Sequence, residues 1–98
     1  MATDMKMLIA EHFDALVRQR GIDKVTVKAV IEDCGISRQT FYYHFKDLMD
    51  LLEWRAQRMT ERMIERSLKA ETPQAALSEF VRTMAENRAL LHKLISSQ

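Results

Sequence analysis

The stretch CGISRQTFYYHF, Cys34 to Phe45, and the lysine that follows it carry the side chains with the most chemistry to offer a partner. On a helical wheel Phe41 and Phe45 are i,i+4 neighbours facing inward. Gln39, Tyr42, Tyr43 and Lys46 follow i, i+3, i+4, i+7 on the opposite side, with Arg38 beside Tyr42. The outward stripe is therefore a guanidinium, an amide, two phenols and an ammonium. Such groups read base edges and phosphates: Arg forks onto guanine, Gln onto adenine, and aromatic carbon meets the thymine methyl. Exposing two adjacent tyrosines gains nothing for folding, whereas a major groove would bury their hydrocarbon and leave their hydroxyls for phosphate oxygens. A purely structural account folds Tyr42 and Tyr43 over a neighbouring helix. It explains one tyrosine better than both of them beside Arg38, Gln39 and Lys46.

The elements that must position this stripe are legible from punctuation and period. In TDMKMLIAEHFDALVRQRG, Met5, Leu8, Ile9, Phe13, Leu16 and Val17 recur at helical spacing, and Gly21 sits where a C-terminal cap ends the turn. Thr26 caps a second helix with Val27, Val30, Ile31 and Cys34 as its apolar set and Gly35 as its stop. Ser37 caps a third, in which Thr40, Phe41, His44 and Phe45 share a side. Two short helices about Gly35-Ile36-Ser37 predict a helix-turn-helix.

Asp47 caps a long fourth helix to about Ala70. Its apolar members are Leu48, Leu51, Leu52, Trp54, Met59, Met63 and Ile64, and its other side carries Arg55, Arg58, Glu61, Arg62, Glu65, Arg66 and Lys69, read as a solvated face. Thr72-Pro73 opens a fifth helix whose stripe is Leu77, Phe80, Val81 and Met84. A short sixth, capped by Asn87, presents Leu90, Leu91, Leu94 and Ile95. The fold class is all-α, and with no repeat, low-complexity tract or Pro/Gly/Ser linker the chain reads as a single compact unit. An apolar stripe so close to Gln98 calls for a partner or further sequence to cover it.

Composition excludes more than it proves. At 98 residues, with two glycines and one proline, the chain is one domain or part of one and rich in helix. A lone cysteine forbids an internal disulfide and a Cys-based metal cluster, and fits a reducing compartment. The N-terminus lacks the basic and apolar regions of a secretory signal, and no apolar run approaches the ~18 residues of a membrane span. The expected location is cytoplasmic, with no membrane partner. Formal net charge is +1, and the first 46 residues hold seven Lys or Arg against six Asp or Glu, so nucleic-acid binding must rest on placement and not on total charge.

TVKAVIEDCGISRQTFYYHFKDLMDLL, with the helix before it, resembles the N-terminal DNA-binding domain of the TetR/AcrR family of transcriptional regulators. The family pattern runs T-V-x-x-I-A-x-x-x-G-V-S-x-x-T-F-Y-x-H-F-x-x-K-x-x-L, and it is matched at Thr26, Val27, Gly35, Ser37, Thr40, Phe41, Tyr42, His44, Phe45 and Leu51. The resemblance implies that Ser37, Arg38, Gln39, Thr40, Tyr42 and Tyr43 face the groove, with the Thr40 and Tyr42 hydroxyls and His44 near phosphates. Thr26 and the helix it caps would meet the backbone, as favours an anion, with Lys28 in the same DNA-facing set and Lys46 on the adjacent phosphate.

Leu48 stands where the family commonly has lysine, which removes one expected phosphate contact, and Ile31 stands where alanine is usual. The resemblance also implies a helix-turn-helix DNA-binding domain over 1–46 and the start of an incomplete ligand-binding and dimerisation domain over 47–98, either a fragment of a longer protein or a natural short form, the full-length family member being a homodimer with a helical effector pocket. Its expected partners are a double-stranded palindromic operator and a small-molecule effector, with repression as the default outcome and the fourth helix linking pocket to recognition helix.

No other chemistry competes. No G-x-S-x-G or phosphate-cradling glycine loop is present, and His12, His44 and His92 are far apart with no ligand spacing, so neither an enzyme, a metal nor a cofactor is implied. Cys34 reads as a small core residue and not a redox sensor. Met59, Met63 and Met84 fit either plain core packing or the wall of an apolar effector pocket. The alternative function is an all-helical co-regulator or protein-interaction module that has lost DNA binding, for which Leu48 and the near-neutral charge speak.

Overall fold

The computed structural model describes residues 4–96, and the regular elements among them are all helical. They are α1 (Asp4–Arg20), a 3-10 turn (Ile22–Lys24), α2 (Val27–Cys34), α3 (Arg38–His44), α4 (Leu48–Lys69), α5 (Pro73–Glu86) and α6 (Arg88–Ser96). The chain divides into two compact units, Met1–Leu51 and Leu52–Gln98. No helix of the described residues is long and apolar enough to cross a membrane.

In the first unit α1 packs on α2, on the 3-10 turn and on α3, and α2 packs on α3. The largest fully buried side chains of this unit are Ile9, Phe13, Leu16, Val30, Phe41, Phe45 and Leu51. Each contributes about 1.5–3 kcal/mol by leaving water. Leu8, expected in this stripe, is exposed, and Ala10 is buried in its place. A small residue on the inner ridge lets α1 approach its neighbours closely. Gly21, at φ 84°, ends α1 through its N–H to the Val17 carbonyl, and the 3-10 turn that follows has no periodic signal in three residues.

The helix-turn-helix is built by its caps. Thr26 Oγ1 accepts the Ala29 N–H at 3.1 Å, and Ser37 Oγ accepts the Thr40 N–H at 3.0 Å. Between them Gly35 takes a left-handed φ of 72°, and the N–H groups of Gly35 and Ile36 both donate to the Ile31 carbonyl, at 2.9 and 3.2 Å. Only glycine adopts that turn without a Cβ penalty. His12 Nδ1 lies 2.7 Å from Asp33 Oδ2, tying α1 to the last turn of α2.

The second unit departs further from expectation. Thr72 caps α5 at the Ala75 N–H, 3.1 Å, with Pro73 opening the helix. The stripe predicted to face inward, Leu77, Phe80 and Val81, is exposed, as are Ile64 on α4 and Ile95 on α6. In its place α5 turns inward the ridge Ala76, Glu79, Thr83 and Asn87, of which Thr83 is buried. The difference is a rotation about the helix axis: small and back-bonded side chains fit where the bulky stripe does not. Thr83 Oγ1 donates to the Glu79 carbonyl, and the Asn87 amide donates to the Thr83 carbonyl, both at 2.8 Å, so the Asn87 side chain closes α5 where it was expected to open α6. On α4, Arg58 is not freely solvated: its guanidinium lies over the Trp54 ring, 5.6 Å from the centroid.

Candidate nucleic-acid interface

The site is the outer surface of α3. Its seven residues are held from both ends, by the Ser37 cap before it and by extended backbone at Phe45 after it, where the Phe45 N–H donates to the Phe41 carbonyl. Phe41 is fully buried and Phe45 nearly so, their ring centroids 5.9 Å apart. These two anchors leave the opposite flank free. Arg38, Gln39, Tyr42 and Tyr43 are all exposed, Tyr42 at 46% and Tyr43 at 83%.

Each tyrosine is nevertheless oriented. Tyr42 stands edge-on to Phe41 and Tyr43 edge-on to His44, with centroids 5.2 and 5.0 Å apart. Aromatic edges carry partial positive charge and seek the face of a neighbouring ring, so both phenols are steered without being buried. His44 is half-buried and serves as the second platform.

The hydroxyls near the turn are partly committed. Ser37 Oγ and Thr40 Oγ1 lie 2.9 Å apart, so one of the two protons is shared between them and one remains to donate outward. Thr40 is half-buried while Ser37 is exposed. Thr26 uses its oxygen as an acceptor in the α2 cap, which leaves its exposed hydroxyl proton free to donate to an anion. Lys28 is exposed on the same helix.

Lys46 requires a correction. Its place in the stripe assumed a helix continuing past Phe45, but α3 ends at His44 and Phe45 turns extended, so Lys46 stands off the helix in the link to α4. The link is itself fixed. The Lys46 N–H donates to Asp50 Oδ2 and the Asp50 N–H donates to Asp47 Oδ1, both at 2.8 Å. Asp50 was not singled out from the sequence, although D-x-x-D at a helix start is the acidic form of a reciprocal cap. A second cation, Lys6 Nζ of α1, lies 5.1 Å over the Phe45 ring, a placement no sequence pattern announces.

Cys34 is half-buried beside the turn, and its thiol is held above the usual range by burial and then by the neighbouring Asp33 carboxylate. A thiol so held is a poor nucleophile at neutral pH. Among the described residues no cluster of His, Cys, Asp and Glu could hold a metal ion.

The effector-pocket residues are brought together only in part. A hollow of about 230 Å³ in the second unit is lined by Met59 and Met63, whereas Met84 is not in its wall. Most of the rest of that wall is polar: Arg55, Arg62, Arg66, Thr83, Glu86 and Asn87. Residues 55, 59, 62, 63 and 66 fall within one face of a helix at 100° per residue, so the methionines and these arginines share the side that the sequence reading had divided between core and solvent.

Compared with known protein families, residues 14–53 match the family described as bacterial regulatory proteins, tetR family. Comparisons with curated proteins and with solved structures return no match.

Proposed function

We propose that the chain, whose residues 14–53 match the tetR family of bacterial regulatory proteins, is a DNA-binding transcription regulator and not an enzyme, and that it serves as a ligand-responsive repressor of a palindromic operator. In this reading α3 enters the major groove. Arg38 and Gln39 read base edges, Tyr42 and Tyr43 cover thymine methyls and reach phosphates, and Ser37 or Thr40 donates its remaining hydroxyl proton. Thr26, Lys28, His44 and Lys46 grip the flanking backbone.

One observation carries the proposal. Phe41 and Phe45 are sealed in the core while Gln39, Tyr42 and Tyr43 are left in solvent on the opposite flank of the same short helix. A homodimer would set two copies of α3 about 34–36 Å apart, one turn of DNA, and so require a two-fold site. The effector would bind in the second unit.

The test is selection of binding sites from a random DNA pool, followed by titration of the selected duplex at several salt concentrations. A regulator docking as described enriches a palindrome, and its affinity falls linearly in log salt, by about 0.9 log units per phosphate engaged for each tenfold rise in salt. No enrichment together with a flat salt response would replace this reading with that of an interaction module.

A further inference from the structure

We propose that Lys6, on α1 and outside the helix-turn-helix, is a further phosphate-binding residue that acts together with Lys46 at the carboxyl end of α3. This rests on the DNA-binding reading above and adds to it a contact from another helix. Lys6 Nζ lies 5.1 Å over the Phe45 ring, and Phe45 is the residue that ends α3 and precedes Lys46. Two lysines far apart in the sequence therefore flank one buried ring. Among the described residues neither of them forms an ion pair. The half-buried stem of Lys6 covers the ring, and its ammonium is held there by the negative aromatic face. An ammonium so placed, with three N–H donors and no carboxylate, is open to a phosphate oxygen.

Length and charge both favour a phosphate there. The seven residues of α3 make a rod roughly 10 Å long, close to the ~12 Å width of a major groove, so a helix seated in the groove brings its carboxyl end within side-chain reach of the wall. That wall is sugar and phosphate. The link at this end also carries the carboxylates of Asp47 and Asp50, which accept the Asp50 and Lys46 N–H groups. Lys46 alone is outnumbered by them, and their charge repels a phosphate strand. Lys6 restores the balance from the other side of the Phe45 ring. A lysine serving only to cover Phe45 would need its hydrocarbon and not its charge, which separates the two roles by experiment.

The test titrates the full chain and its Lys6→Met and Lys6→Arg variants with the duplex recovered by site selection and with an unrelated duplex, at several salt concentrations. Lys6→Met keeps a hydrocarbon cover over Phe45 without the charge. It should bind both duplexes more weakly by the same factor, and make the fall of log affinity with log salt shallower by about one. Lys6→Arg, a cation that also stacks on aromatic faces, should keep the parent slope. The parent slope in Lys6→Met, or a slope lowered equally in both variants, would overturn the proposal. So would weakening confined to the selected duplex, which would make Lys6 a positioning residue for base contacts. A parent that selects no site and binds flat in salt would instead overturn the DNA-binding reading, because it is measured before any variant is compared.

Discussion

The ring of Tyr42 stands edge-on to that of Phe41, centroids 5.2 Å apart and planes at 85°. One ring is fully buried and the other is 46% exposed, so the surface proposed to meet DNA is fastened directly to the packing of α3. Such a pair contributes about 0.5–1.5 kcal/mol beyond its buried area. On the proposed function, the inner rings hold the fold and the outer rings bind.

That separation predicts opposite phenotypes for two aromatic truncations. Phe41→Ala removes a fully buried ring and should cost about 3–5 kcal/mol, a large share of the 5–15 kcal/mol that holds a domain together. Tyr43→Ala removes a ring that is 83% exposed and should change stability by less than about 0.5 kcal/mol, while weakening the selected DNA site by about 1–3 kcal/mol. Denaturant melts and DNA titrations on both variants check the contrast. A strongly destabilised Tyr43→Ala would place that ring in the core.

Gln39 and Lys46 should separate in a different way. Gln39→Ala should alter sequence preference at one position of the site, since an amide reads a base edge. Lys46→Ala should weaken all sequences alike and lower the salt slope by about one. Because Lys46 stands in a link fixed by Asp50, its ammonium starts from a backbone already in place. Site selection and salt titration on both variants provide the measurement, and two variants indistinguishable from the parent would move the docking surface elsewhere.

The first unit was largely legible because its signals are local. Thr26, Gly35 and Ser37 sit at offsets that caps and a left-handed turn require, and the aromatic run declares which side is inward. The second unit was not, because a helix's rotation is decided by what it packs against. The Leu77, Phe80, Val81 pattern is a strong amphipathic stripe, yet α5 turns Ala76 and Thr83 inward. The same reason divided Met59 from Arg62: residue type was read as the face, whereas the backbone places both in one hollow. Lys46 shows the third limit, that a periodic extrapolation fails at the residue where the helix stops.

The link between α3 and α4 should respond to loss of either acid. Asp47→Ala removes the oxygen that accepts the Asp50 N–H, and Asp50→Ala frees the Lys46 N–H, each costing about 0.5–2 kcal/mol as a lost helix cap. Asn restores an acceptor at either position and should recover most of the loss, less the small favourable interaction of an acid with the helix N-terminus. Thermal melts of the four variants check this. Equal losses for Ala and Asn would assign the effect to charge and not to the hydrogen bond.

Cys34 gives a pH dependence whose sign is fixed by its surroundings. Burial first, then the Asp33 carboxylate, raise the folded thiol above its ordinary value. Well below pH ~8.5 the thiol is protonated in folded and unfolded chains alike, so its contribution is fully present. As pH climbs through that value the unfolded chain releases its proton first, and stability falls until the folded thiol ionises too. Wild type should therefore lose stability relative to Cys34→Ala between pH 7.5 and 9.5, a difference that cancels tyrosine and lysine titration. Alkylation by iodoacetamide should be slow at pH 7.5 and accelerate with a midpoint above that of a free peptide thiol. A midpoint at or below the free thiol's would mean that Cys34 is reached by solvent or by a cation, and its reading as an inert packing residue beside the turn would have to be abandoned.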